Sequence, residues 1–229
     1  MKDSIRGATS VALLVAIGLT FFIGESQARV VLATQGPRYH RAPSAFEVIF
    51  EGGLALPIGD QQDEPNSTGS GVGAGTGYQL GLRGRRYLGE HFAISPSFHY
   101  TTFGATTGLW QAVLIDEQAY HLRTSNLRYA LDLHYFTNSG PASIRPYLTG
   151  GLALMNNRYS DNGQNSQAVT ATQRNLVFSG GLGFKLTNFE FAVQYTWNRF
   201  ESEAFLSSDT PLSYNWDSLV ARFGLSFGR

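Results

Sequence analysis

The sequence predicts an all-β fold: an eight-stranded antiparallel up-and-down transmembrane β-barrel. Three observations predict it. About eight separate stretches alternate apolar with small or polar side chains, the period of two expected of a strand with two different faces. The apolar face is aromatic toward its ends, whereas the other mixes Gly, Ala and Ser with a few charges. The connections alternate in length, long after the first, third, fifth and seventh strands and short after the second, fourth and sixth. Outer-membrane barrels have this arrangement of external loops and periplasmic turns.

Residues 1–28 read as a cleaved secretory signal. Lys2 and Arg6 give a basic start, 11–23 is a short apolar core, and Ser26-Gln27-Ala28 supplies the small residues a signal peptidase reads. The apolar run is shorter than the ~20 residues a spanning helix needs. Residues 29–229 are then one barrel domain of about 200 residues. The chain has no cysteine, so neither a lipid-modified cysteine nor a disulfide contributes. With 17 basic and 17 acidic residues there is no positive excess, which speaks against nucleic acid as a partner.

The first strand falls at 45–56, with Phe46, Val48, Phe50, Leu54 and Leu56 on one face and Glu47, Ile49 and Glu51 on the other. A polar connection at 57–70 overlaps a ladder of glycines from Gly69 to Gly77. This GxGxGxG run lacks nucleotide-loop spacing and a following Lys, and reads as the start of a strand. That strand ends near Arg83, with Tyr78, Leu80 and Leu82 outward and a tight connection at 84–90. The third strand occupies 91–103. Residues 104–124 hold Trp110 and a short alternating piece at 119–122, expected to be strand beyond the membrane. Strands follow at 127–135, 145–155, 175–186, 189–198 and 217–227, with polar loops expected at 156–170 and 199–214.

Thr187-Asn188 tests the register. As a two-residue hairpin turn it pairs Leu186 with Phe189, Phe184 with Phe191 and Leu182 with Val193 on the apolar face. On the inner face it sets Lys185 opposite Glu190, and an ion pair between them is expected.

The run 127–136 (Leu-Arg-Tyr-Ala-Leu-Asp-Leu-His-Tyr-Phe), a turn, and then Arg145-Pro146-Tyr147-Leu148-Thr149-Gly150-Gly151 resemble the small bacterial outer-membrane β-barrel domain family, porin-like and eight-stranded. The closing Phe223-Gly224-Leu225-Ser226-Phe227 looks like the terminal strand read by the barrel assembly machinery, although Gly228 and Arg229 follow it. The resemblance implies an outer-membrane location, outer-membrane lipid and the assembly machinery as partners, and no catalytic residues.

The inward charges are Glu47, Glu51, Arg83, Arg128, Asp132, Arg145, Lys185, Glu190 and Arg222, joined by His99 and His134. In so narrow a barrel they must pair or incur a large desolvation cost. A salt-bridged plug is therefore expected, with Arg222 meeting Glu47 or Glu51 across the closing seam. The function expected is that of a non-enzymatic, monomeric envelope protein acting structurally or through its external loops. No cofactor or metal is expected. Two alternatives stand beside it. One is a lipid-modifying barrel enzyme using His121, Ser125 and Asn126, although the first two lie ~13 Å apart along a strand. The other is a secreted lipocalin-like barrel with its apolar face turned inward.

Overall fold

Alternation at a period of two produces strands throughout. In the computed structural model the described residues are 46–63, 73–110, 118–138, 144–161, 169–202 and 212–228. The segment 1–28, read as a signal, lies outside them. The strands are β1 (Phe46–Gly59), β2 (Gly75–Tyr87), β3 (Phe92–Gly104), β4 (Thr106–Trp110), β5 (Gln118–Phe136), β6 (Arg145–Asp161), β7 (Val169–Leu186), β8 (Phe189–Trp197), β9 (Arg199–Ser202) and β10 (Leu212–Gly228).

Ten strands make eight staves. Both β3 and β4 pair with β5, and Thr102↔Ser125 followed by Thr106↔Leu122 leaves one extra residue near Ala105, a bulge within one stave. Similarly β8 and β9 share β10 in one register, interrupted at Asn198. There the Asp217 carboxylate accepts the Asn198 N–H at 2.8 Å, so a side chain replaces one rung of the ladder. All neighbours are antiparallel, and β1 closes on β10 from Glu47↔Gly228 to Gly59↔Trp216. The last strand thus continues past Phe227 to Gly228.

Pairing also sets the barrel's dimensions. Partners followed from Phe46 through Arg86, Ile94, Leu133, Gly150, Gly180, Tyr195 and Leu219 return to β1 at Leu56, ten residues along. In eight strands that stagger tilts each by roughly 43°. Exposed apolar residues then form a band about 25 Å tall, the height of a bilayer's hydrocarbon layer. It runs from Phe46 to Leu56 on β1 and from Leu186 to Leu176 on β7, bounded above by Tyr78, Tyr100, Trp197 and their neighbours. The apolar face therefore points outward, which overturns the lipocalin-like alternative.

Three elements differ from the sequence reading. β2 continues to Tyr87, so Arg85 belongs to the strand and not to the 84–90 connection. Much of the loops expected at 156–170 and 199–214 is strand, in β6, β7, β9 and β10. The reason is an inversion of phase. Above the membrane the outer face meets water and turns polar (Arg158, Thr172, Arg174), while apolar residues move inward (Phe103, Leu122, Tyr159, Phe200, Tyr214, Trp216). The same inversion obscured 104–124, which holds β4 and the start of β5.

The Thr187-Asn188 turn has the expected register, Leu186↔Phe189 through Leu182↔Val193. Thr187 has φ 52°, a conformation costly for a β-branched residue. Thr187→Gly should relieve roughly 1–2 kcal/mol of strain against about 0.5–1 kcal/mol of added chain entropy. A net gain of at most about 1.5 kcal/mol in urea unfolding of the refolded barrel is the expected outcome, and a loss would show that threonine is at ease there.

Candidate functional site

The interior is the place where this chain concentrates polar chemistry. All nine charged residues singled out from the sequence are buried, and they face one lumen from β1, β2, β5, β6, β7, β8 and β10. Their partners form tiers stacked along the barrel axis.

At the periplasmic end, Lys185 forms an ion pair with Glu47, and the Tyr87 hydroxyl donates to Glu47 at 3.1 Å. Arg145 donates to the Glu90 carbonyl at 2.8 Å and lies 4.4 Å above the Phe136 ring. Ala93, Phe136, Tyr147 and Ala192 pack beside it with Tyr87.

The middle tier centres on Glu190. Arg85 grips it with two hydrogen bonds, 2.6 and 2.8 Å, Arg83 donates at 3.1 Å, and the Tyr147 hydroxyl donates at 2.5 Å. Arg83 reaches on to Glu51 at 2.8 Å. Glu51 also meets His99 at 2.5 Å and Arg222 at 3.6 Å. Arg128 joins Asp132 at 3.1 Å and Ser179 at 2.7 Å, with Gln194 donating to Ser179 at 2.9 Å. His134 packs edge-on against Tyr147, 5.2 Å between ring centroids. Gly183 makes room for this tier, since a Cβ there would lie 2.6 Å from the Tyr147 hydroxyl.

Above lies a ring of three amides. Asn157 donates to Asn175 at 2.8 Å, Asn175 to Asn198 at 2.8 Å, and Asn198 back to Asn157 at 2.9 Å. At the outer end lies an apolar cluster that includes Phe103, Leu122, Tyr159, Phe200, Tyr214 and Trp216. Phe200 lies 5.3 Å from both Tyr214 and Trp216, stacked on the first and edge-on to the second.

Two expectations about pairing had different outcomes. Arg222 meets Glu51 across the seam, one of the two partners expected. Lys185 and Glu190 do stand opposite in register, yet they do not pair. Glu190 is taken by Arg85, whose planar fork satisfies both carboxylate oxygens, and Lys185 reaches Glu47 instead. In a lumen crossed by long side chains, the partner that decides pairing stands on another wall.

Arg85, Tyr87, Tyr147 and the three asparagines were missed. Extending the two-residue period from Arg83 would have turned Arg85 and Tyr87 inward, and extending it from Arg145 would have turned Tyr147 inward. The tiers hold six cations (Arg83, Arg85, Arg128, Arg145, Lys185, Arg222) against four carboxylates. Aromatic faces and the Glu90 carbonyl receive Arg145, which lacks a carboxylate partner among the described residues. His121 and Ser125 lie four residues apart on β5, opposite Thr107 and Thr102 respectively. Among the described residues no group of three His, Cys, Asp or Glu side chains is arranged to hold a metal.

A family described as the outer membrane protein beta-barrel domain matches residues 38–227. Among solved structures the chain is similar to Ail, the attachment invasion locus protein of Yersinia pestis, in complex with the heparin analogue sucrose octasulfate. The identity is 15%, covering 80% of this chain and 99% of that one, with a TM-score of 0.49. It is also similar to Neisserial surface protein A (12% identity, 81% and 98% covered, TM-score 0.49). A third is a major outer membrane protein from Thermus thermophilus (12% identity, 80% and 100% covered, TM-score 0.48). No curated protein matches.

Proposed function

The chain belongs to the outer membrane protein β-barrel domain family and resides in the bacterial outer membrane, and from that premise we propose that it is a closed, non-enzymatic barrel. It works as a monomeric envelope scaffold, delivered by a cleaved signal and the barrel assembly machinery, that holds its long external connections toward the outside. Partner contacts are assigned to the β1–β2, β6–β7 and β9–β10 connections, the parts of the expected loops 57–70, 156–170 and 199–214 that lie between strands, because connections on a rigid frame carry recognition.

One observation supports this reading: side chains from every wall stack in tiers along the lumen. Ion pairs at the bottom, a buried guanidinium–carboxylate network in the middle, an amide ring and an apolar cluster at the top succeed one another. Eight strands leave room for side chains and little else. Water and solutes would have to displace buried, paired charges to pass. The described lumen carboxylates are each held by a cation, so none is free to act as a base.

The test is conductance. Purified protein reconstituted in a planar bilayer is expected to give no current steps above the lipid background. Steady ohmic openings in the wild-type barrel would overturn the closed-scaffold reading.

A further inference from the structure

Outside the lumen, the cations are not scattered. Of the described Lys and Arg residues on the outer wall, Arg86 stands at the periplasmic end of β2, and the other four are Arg123, Arg158, Arg174 and Arg199. These four lie on four consecutive staves: β5, β6, β7 and the β8–β9 stave. All four are exposed.

Register sets them in a row. Arg158 pairs with Ser125, two residues from Arg123, and with Thr172, two residues from Arg174. Asn175, next to Arg174, donates its amide to the Arg199 carbonyl at 3.4 Å. Such diagonal neighbours are about 7–8 Å apart. The ten-residue stagger compensates for their different positions along each strand. Their Cα atoms come within about 6 Å of one height, roughly 5–10 Å above the girdle that includes Tyr129, Tyr195 and Trp197.

Among the described residues the row is underneutralised. Arg123 donates, among the described residues, only to the Thr102 hydroxyl, at 3.4 Å. The side chains of Arg158, Arg174 and Arg199 form no hydrogen bond or ion pair with any described residue. Glu201 is exposed two residues beyond Arg199. Asp217, on the same outer wall, accepts from the Tyr195 hydroxyl at 2.5 Å and the Asn198 N–H, and with Glu201 it offsets only part of the four positive charges. Four like charges this close repel one another unless an anion lies between them, and guanidinium forks match phosphate oxygens. The opposite wall carries neutral residues such as Ile58, Thr76 and Ser213 at this level.

We infer that this arc is a binding site for the phosphate groups of a phosphorylated glycolipid in the outer leaflet. The acyl chains would lie along the apolar wall below, the phosphates would bridge the arginines, and the barrel would hold this lipid on one side only. The inference rests on the outer-membrane location and is independent of whether the lumen conducts.

The experiment uses the full chain refolded into phosphatidylcholine vesicles containing bis-phosphorylated lipid A, dephosphorylated lipid A, or neither. Co-retained lipid and the midpoint of thermal unfolding, read by heat-modifiable migration, are measured together. Wild-type protein should retain the phosphorylated lipid and gain in midpoint with it alone. Replacing all four arginines by glutamine should abolish the gain, with retention falling roughly fivefold per arginine removed. Arg86→Gln should keep both. Arg174→Gln alone serves if the fourfold variant fails to fold, and should weaken retention by about that single factor. Equal gain from dephosphorylated lipid, full retention by the glutamine variants, or displacement by soluble polyphosphate without any lipid preference would each overturn the assignment. Loss of retention in a variant that still migrates as a closed barrel would leave the scaffold reading intact.

Discussion

Glu190→Gln should destabilise the barrel by about 3–5 kcal/mol, since it leaves buried guanidinium groups without their shared carboxylate. Glu190 serves Arg83, Arg85 and Tyr147 together, and its side chain is 2% exposed. After substitution Arg83 keeps Glu51, whereas Arg85 retains only Glu47, at 3.6 Å. Urea unfolding of the barrel in detergent, followed by heat-modifiable migration, measures the effect. A change under about 1 kcal/mol would place Glu190 in contact with water, as at an exposed pair. The same titration separates two views of Lys185. Lys185→Gln should couple to Glu47→Gln, its direct partner, by about 1 kcal/mol or more, and more weakly to Glu190→Gln, which it reaches through Glu47 and Arg85.

Trp216→Ala should have the second large effect, also about 3–5 kcal/mol. Trp216 is fully buried in the outer apolar cluster, edge-on to Phe200 and Tyr214. That part of the barrel stands above the bilayer, so its side chains hold it together without help from lipid. The cavity should therefore be felt locally. Amide exchange should accelerate in β9 and the outer end of β10, while β8 and the lower half of β10 stay protected. Uniform acceleration along both strands would show that the extension and the spanning barrel unfold as one unit.

What could be read from the chain depended on what each face meets. Between Phe189 and Trp197 one face meets lipid and the other the lumen, so the period of two stands out and the hairpin register follows from it. Past Asn198 the same strand enters water, and the apolar phase moves from Trp197 outside to Phe200 inside. A reading that follows one phase then finds only a loop. Inward direction was legible for the charges from Glu47 to Arg222, because direction is a local property of the backbone. Partner choice was not. Lys185 and Glu190 are direct neighbours by register, but Arg85, from a strand on another wall, offers two donors in one plane and takes the carboxylate.

The seam between β1 and β10 has a kinetic consequence. Every other pair of adjacent staves is consecutive along the chain, whereas this pair joins its two ends. Until it forms, both strands carry a row of unpaired amides and carbonyls, and in hydrocarbon each such group costs several kcal/mol. A partial barrel in the bilayer is therefore worse than either end state. Ring closure becomes all-or-none, and the loop entropy of bringing the ends together must be met before the last ladder repays it. Run backwards, escape from the membrane has to unzip one whole ladder first. The finished protein is thus held in place by the slowness of that first opening as much as by its equilibrium stability.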